Sequence, residues 1–331
     1  MSASTSPASS PSHVVGIDLG GTHMQIGLVD PLNHIIARTR DLTMAEEGLD
    51  AVVARMAEGV RAVCQQAGIP IERVGGVGVG APAPVDGDTG LILTAPNLRW
   101  VNVDLPALLS RHLPGCRFAV DNDVNAAGWA EAQIGAGVGS RFVLAVWIGT
   151  GIGGAVILDG KMVYGRFGTA GEIGQTVIDH RTAPARRILE RNAARSAIIQ
   201  DLQALMSTNH PTMLLDLTHG QVDSLNLQHV GEAIRAGDPL TLDVVNHALD
   251  LIGTTIANAV TLLSLDCVVV GGGIIETLGP LLMPRLRQSF DAAVFPDACK
   301  QCRIVETKLR ENAGLLGAAL LARGKLALPH A

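Results

Sequence analysis

A strand, a glycine turn and a second strand occur twice in this chain, and that repeat limits its possible folds more than any other feature. The first copy is G-I-D-L-G-G-T-H-M-Q-I-G-L-V-D at 16–30. The second is W-I-G-T-G-I-G-G-A-V-I-L-D at 147–159. Each has an apolar run, a Gly/Thr bend, a second apolar run and a closing aspartate, which is the signature of a β-hairpin. The recurrence points to a duplicated hairpin-led α/β unit. The competing account is a chance likeness between two glycine-rich hairpins. A length of 331 residues suits two such units, at roughly 150 residues per domain.

The patterning between and beyond the hairpins is also α/β. Leu49–Ala67 has helical apolar spacing and stops at Gly68-Ile69-Pro70. Val74–Val79 is an expected strand that runs into Gly80-Ala81-Pro82-Ala83-Pro84. Arg117–Val120 is another, followed by Asp121-Asn122-Asp123 and a helix over Asn125–Gln133. The second half is expected to be more helical, over Ala185 to about Met206 and over Pro239–Leu265. A strand at Asp266–Val270 then leads through Gly271-Gly272-Gly273 into Ile274–Phe290, a helix expected to break at Gly279-Pro280. A strand at Cys302–Glu306 and a helix at Asn312–Ala322 close the chain. Residues 1–12, MSASTSPASSPS, are Ser/Pro-rich and are expected to form a disordered tail.

Composition excludes several classes. A hydrophobic fraction of 47% fits a chain with a large core and not a disordered one. The formal charge of −6 argues against a protein whose affinity rests on neutralising nucleic-acid phosphates. No apolar run approaches the roughly 20 residues of a membrane span, and the first residues lack the basic and apolar regions of a signal peptide. Cys64, Cys116, Cys267, Cys299 and Cys302 are odd in number and scattered, unlike a secreted disulfide framework. The expected location is therefore the reducing cytoplasm.

Three glycine turns have the composition to hold phosphate, because successive backbone N–H groups in tight bends form anion nests. Taken singly, each is just as well a structural turn. No G-x-x-x-x-G-K-[ST] is present. Gly149-x-Gly151-x-x-Gly154 matches a dinucleotide fingerprint, but strand and turn follow it where that fingerprint must open a helix. The better expectation is that Gly20-Gly21-Thr22 and the Thr150–Gly153 bend, with Thr150, Gly151 and Gly153, grip one polyphosphate. Gly272 and Gly273 would then lie along a nucleotide. Asp18, beside the first bend, would hold Mg²⁺ directly or through water. Asp123 is the candidate base for a kinase acting on a hydroxyl. Capping the following helix is the alternative role for Asp121 or Asp123. Asn97 and Glu172 are candidate partners for polyol hydroxyls.

These segments together resemble the ROK family of sugar kinases, in the actin-like ATPase superfamily. G-I-D-L-G-G-T (16–22), G-V-G-V-G-A-P-A-P-V-D (76–86), N-L-R-W (97–100), D-N-D-V-N-A-A (121–127), G-T-G-I-G-G (149–154), A-G-E-I-G (170–174), V-V-V-G-G-G-I (268–274) and A-G-L-L-G-A-A (313–319) carry the likeness. The resemblance implies a two-lobed α/β fold, actin-like ATPase or ribonuclease H-like, with a central cleft where ATP–Mg²⁺ and a hexose meet. It implies a small lobe of 13–122 plus about 304–331, to which the last helix returns, and a large lobe of 123–303. It implies Asp123 as general base and Asn97, Asn122, Asp123 and Glu172 as sugar ligands. A homodimer or homotetramer is implied as well.

The departures are local. The family pattern continues A-G-E-I-G-H into a zinc-binding cysteine cluster and then a sugar-binding Glu. Here Gln175 replaces the His and no cysteine follows, so no structural zinc is expected. Gln175 offers an amide to the sugar in place of an imidazole, and Glu190 in Ile-Leu-Glu aligns with the sugar-binding Glu. Arg181, Arg186, Arg187, Arg191 and Arg195 crowd this stretch. They are expected to form a solvated basic helix face, with an acidic or polymeric phosphate ligand as the sharper alternative. The expected function is an ATP-dependent, glucokinase-like hexose kinase. The alternatives are a sugar-binding regulator without kinase activity, a kinase for fructose, mannose or an N-acetylhexosamine, and polyphosphate as donor. No nucleic-acid or membrane partner is expected. Only 13 residues precede the first strand motif, too few for a DNA-binding domain of the kind that family repressors carry.

Overall fold

The computed structural model describes residues 12–87, 89–208 and 210–327. The tail expected from the Ser/Pro-rich start lies, through residue 11, outside the described residues. The described residues divide into two compact units, one running up to Ala130 and including 166–168 and the residues from Asn312 on, the other within 131–165 and 169–311.

The first unit opens with strands β1 (His13–Leu19), β2 (His23–Val29) and β3 (Ile35–Leu42). Helix α1 (Leu49–Ala67) and strand β4 (Val74–Ala81) follow. A small hairpin of β5 (Leu91–Ala95) and β6 (Trp100–Asp104) leads to helix α2 (Leu105–His112), strand β7 (Phe118–Asn122) and helix α3 (Asp123–Ile134). The main sheet runs β3-β2-β1-β4-β7, with β1 antiparallel to β2 and parallel to β4, and β4 parallel to β7. Side chains alternate across it as a period of two requires. Val15, Ile17 and Leu19 go to the core shared with Val53, Met56 and Val60 of α1.

The second unit repeats this plan. Strands β8 (Phe142–Ile148), β9 (Ile152–Leu158) and β10 (Lys161–Val163) are followed by a helical stretch and two later strands. The helices are α4 (Glu190–Ala193), α5 (Arg195–Ser207), α6 (Leu214–Leu217), α7 (Leu227–Ala236) and α8 (Pro239–Leu263). Strand β11 (Cys267–Gly271), helix α9 (Gly273–Ala293) and strand β12 (Arg303–Glu306) complete it. The sheet order β10-β9-β8-β11-β12 reproduces that of the first unit, with the same pattern of antiparallel and parallel neighbours. The hairpin likeness at 16–30 and 147–159 is thus accompanied by a shared five-strand topology.

Helix α10 (Ala313–Ala327) belongs to the first unit and packs on β1, β4 and β7. Glycine makes that packing possible. A Cβ on Gly16 would lie 2.0 Å from the Leu315 carbonyl oxygen, and one on Gly78 would lie 1.8 Å from that of Ala318. No side chain fits there, so the helix backbone rests directly on the strands.

The unit boundary lies within α3, between Ala130 and Glu131, and at Glu311/Asn312. The sequence places it at the Asp-Asn-Asp turn and near residue 304. A turn signal marks where an element starts, whereas a unit is set by what the element packs on. Two further differences have clear causes. The stretch from Ala185 to Met206 is not one helix but α4 and α5, broken at Ala194, whose ψ of 157° is extended. Helix α9 continues through Pro280 and Pro284. The Glu276 carbonyl that the missing Pro280 N–H would have engaged instead accepts from Arg310 Nη2.

Candidate active site

In the first unit, register brings the acidic candidates into one row. Asp18 on β1 pairs with Gly80 on β4, and Gly80 pairs with Asp121 on β7. Gly80 is small for a reason. A Cβ there would stand 3.3 Å from the Asp123 Cα and from the Ala126 Cβ, so the start of α3 settles against β4 where β4 has no side chain.

Asp121, Asn122 and Asp123 take three different roles. Asp121 is buried, and it accepts from Lys325 Nζ at 3.0 Å and Asn125 Nδ2 at 2.9 Å. It therefore ties α10 to the end of β7. Asn122 closes the helix start: its Oδ1 accepts from Val124 N at 2.9 Å and from Asn125 N at 3.1 Å. Its Nδ2 also donates to the Ala83 carbonyl at 3.2 Å, which leaves one amide N–H for any ligand. The cap is thus the asparagine and neither aspartate. Asp123 is partly exposed in the first turn of α3, where one carboxylate oxygen accepts from Val124 N at 2.8 Å.

Asp18 is different again. It is partly buried, and among the described residues no donor lies within hydrogen-bond distance of its carboxylate. A Cβ on Gly314 of α10 would fall 2.6 Å from the carboxyl carbon. Desolvation without a compensating partner pushes the Asp18 pKa up from 3.8 to about 6. A desolvated, unpaired carboxylate suits a hard divalent cation whose other ligands are water and phosphate oxygens. Asp18 thus has the chemistry to fit Mg²⁺.

The Gly20–Thr22 bend is held from behind by buried Thr43. Its Oγ1 donates to the Gly20 carbonyl at 2.7 Å, and its backbone N–H donates to the Thr22 carbonyl at 2.8 Å. Asn97 stands against the same bend, since a Cβ on Gly21 would lie 3.2 Å from the Asn97 Cβ. The first unit thus gathers Asp18, Gly20, Gly21, Thr22, Asn97, Asn122 and Asp123 around the ends of β1, β4 and β7.

The second unit gathers the other candidates. Gly149 N donates to the Gly151 carbonyl at 2.8 Å, which closes the second bend. Glu190 Oε2 accepts from Ile152 N at 2.8 Å, and a Cβ on Gly151 would meet that oxygen at 2.2 Å. Gln175 Nε2 donates to Glu190 Oε1 at 3.5 Å. The Glu172 carboxyl is pushed up by desolvation and then by the Glu190 charge. These three side chains therefore share one neighbourhood. The glycines of A-G-E-I-G seat that loop on β9: Cβ atoms on Gly171 and Gly174 would be 2.4 Å and 2.0 Å from the carbonyl oxygens of Gly154 and Ile152. Gly272, at φ +90, lies against the Ile148 carbonyl, so the β11–α9 turn with Gly272 and Gly273 adjoins the second bend with Thr150, Gly151 and Gly153.

Two residues of this region lie outside the sequence-based nucleotide and sugar sets, Arg195 having been read only as part of the basic run with its alternative of a polymeric phosphate ligand. Arg195 N donates to the Gly149 carbonyl at 3.0 Å, and Arg195 Nη2 donates to Thr150 Oγ1 at 3.0 Å. Ser196 Oγ donates to the Thr150 carbonyl. The only sequence signal is an arginine placed where α5 begins, hidden within a longer basic run. The structure separates that run. Arg181 and Arg186 pair with Asp179 and Asp201, Arg187 donates to the Thr182 carbonyl, Arg191 is exposed, and Arg195 reaches the bend.

In the stretch after Gln175 other residues stand where a cysteine cluster would be. His180 is exposed and no cysteine is present. Among the described residues, no group of three or more His, Cys, Asp or Glu could hold a metal ion. Hydrogen bonds close the loop instead. Ile178 N donates to the Arg187 carbonyl at 2.8 Å and Leu189 N to the Thr176 carbonyl at 3.0 Å. Asn192 Nδ2 donates to the carbonyls of Arg186 and Ile188, both at 2.8 Å.

Paired five-stranded sheets led by glycine hairpins define a mixed α/β fold of the actin-like ATPase class. The chain belongs to the ROK family, which it matches over residues 14–325. A glucokinase from Thermotoga maritima is 30% identical over 318 residues, covering 95% of this chain and 98% of that protein. A xylose repressor from Caldicellulosiruptor bescii is 23% identical, over 96% of this chain and 80% of the repressor. Among solved structures, a ROK glucokinase from Streptomyces griseus in complex with glucose and AMPPNP is 29% identical, covers 94% of this chain and 99% of that one, and has a TM-score of 0.81. No helix among the described residues is long and apolar enough to cross a membrane.

Proposed function

We propose that this protein is an ATP-dependent hexose kinase of glucokinase type, EC 2.7.1.2, acting in the cytoplasm as a homodimer or homotetramer. Asp123 takes the proton of the sugar hydroxyl as that oxygen attacks the γ-phosphorus, and ADP departs with the bridging electrons. Asp18 holds Mg²⁺, which neutralises charge on the phosphates when bound. The bends at Gly20–Thr22 and Thr150–Gly153 engage the phosphates, Gly272 and Gly273 pack along the nucleotide, and Asn97, Asn122, Glu172, Gln175 and Glu190 bind sugar hydroxyls. The observation that carries this reading is the placing of Asp123 and unpaired Asp18 at the strand ends beside a braced glycine bend, with helix capping left to Asn122.

Replacing Asp123 by Asn keeps the shape and removes the base. The expected result is a kcat loss of roughly 10²–10⁴, with sugar affinity nearly unchanged. Near-wild-type kcat in Asp123→Asn, on every sugar that the protein phosphorylates, refutes the mechanism. The second reading is a sugar-binding regulator without kinase activity, favoured by the likeness to a xylose repressor. A coupled ADP-release assay over about ten sugars, with ATP and with polyphosphate, separates the two and fixes donor and acceptor together. Activity on none of them, with sugar binding intact, selects the regulator.

A further inference from the structure

We propose that Arg195 is a donor-phosphate ligand: its guanidinium engages the phosphoanhydride chain held over the Gly149–Gly153 bend. The inference rests on the kinase reading and adds a residue that the glycine-turn pattern does not include.

Arg195 is the first residue of α5, and its backbone N–H is bonded to Gly149. Its side chain crosses the bend to Thr150 Oγ1 and also lies beside the next glycine turn, where a Cβ on Gly273 would be 3.6 Å from Nη1. One cation therefore stands beside both turns assigned to the nucleotide. It is half-buried, and among the described residues no carboxylate lies within ion-pair distance of it. Its sequence neighbours Arg181 and Arg186 both have such partners. A guanidinium has five N–H donors, and the one bond to a neutral hydroxyl leaves most of them unused.

The chemistry of the unused donors selects the ligand. Guanidinium presents a planar fork that fits phosphate oxygens in a bidentate way. Thr150 adds to this. Because its oxygen accepts from Arg195, its own O–H remains to donate to an acceptor over the bend. Cation and hydroxyl together form a site for an oxyanion chain, contributed either by a nucleotide or by inorganic polyphosphate.

The test compares the wild-type protein, Arg195→Gln and Arg195→Lys by titration calorimetry with ADP, adenosine and inorganic tripolyphosphate. The expected result is a loss of tenfold or more in ADP affinity for Arg195→Gln, an unchanged adenosine affinity, and partial recovery in Arg195→Lys. KM for the phosphoryl donor rises in parallel while KM for the sugar stays within twofold. Loss of tripolyphosphate affinity as well extends the role to an inorganic donor; loss for ADP alone assigns it to the nucleotide. Equal ADP affinity in Arg195→Gln and wild type overturns the proposal. An adenosine affinity that falls as far as that for ADP also overturns it, because Arg195 would then be shaping the turns and not meeting phosphate. If the wild type binds neither ADP nor tripolyphosphate, the kinase reading itself fails. Should Arg195→Gln not fold, Arg195→Lys with ADP affinity tenfold below wild type and unchanged adenosine affinity supports the fork-specific contact, and Arg195→Lys with wild-type ADP affinity overturns it.

Discussion

Replacing Asp18 by Asn should make the protein more stable and abolish its activity, with a stability gain that depends on pH. Burial without a partner raises the Asp18 carboxyl from 3.8 to about 6. The folded chain therefore holds the proton more tightly than the unfolded chain. The associated stability is complete below pH 3.8 and is lost as pH rises through about 6. The whole shift is worth about 3 kcal/mol, a penalty the wild type carries in full at pH 8. At pH 4.5 the folded carboxyl is still protonated, and about 1 kcal/mol of the penalty remains. Asn has no titration. Whatever its amide costs at this position is the same at both pH values, so the change with pH isolates the carboxylate. Urea unfolding of both proteins at pH 8 and pH 4.5, in the presence of EDTA, measures it. The excess stability of Asp18→Asn should fall by about 2 kcal/mol between the two. An excess that does not change with pH would mean that Asp18 is not held as a desolvated, unpaired carboxylate, and its assignment as the Mg²⁺ ligand would lose its physical basis. As a companion measurement, Mg²⁺ with ADP should stabilise the wild type more than the variant.

Three more outcomes follow from the packing. Gly314→Ala would ordinarily favour a helix by up to about 1 kcal/mol, but its Cβ would lie 2.6 Å from the Asp18 carboxyl carbon. Steady-state kinetics should therefore show a kcat/KM loss of about tenfold or more in a protein that still folds. Gly78→Ala places a methyl 1.8 Å from the Ala318 carbonyl oxygen and should cost about 3 kcal/mol in chemical denaturation; a change below about 0.5 kcal/mol would contradict the close seating of α10. A zinc chelator should leave both Tm and kcat unchanged, because hydrogen bonds close the 176–189 loop; loss of either on chelation would show that a metal does hold it.

The strands and helices that position the site were largely legible from periodicity and punctuation. The helix over Leu49–Ala67 was marked by its apolar spacing and by the Gly68-Ile69-Pro70 stop that follows it, and both hairpins by their glycines. The shorter elements were less marked. The β5–β6 hairpin and α2 are short, whereas α7 is marked locally by Asn226 at its start and Gly237 at its end. Of the site, the glycine bends and the acidic residues at strand ends were visible as motifs, because their backbone requirements are met within a few residues. Their division of labour was not. That Asn122 caps α3 while Asp121 binds Lys325 depends on a residue 204 positions away.

The amino-acid order alone set the duplicated hairpin-led units, the glycines at close approaches and the residue types available to a phosphoryl-transfer site. These follow from dihedral preference and hydrophobic spacing, which act over short distances along the chain. Packing decided the rest: Asp18 losing its water with no partner gained, Arg310 filling the place of a missing proline N–H, and Arg195 leaving the basic run to reach Thr150. Each of these pairings, or the lack of one, joins groups remote in sequence. Their energies come from desolvation and hydrogen-bond geometry, which exist only once the tertiary structure has formed.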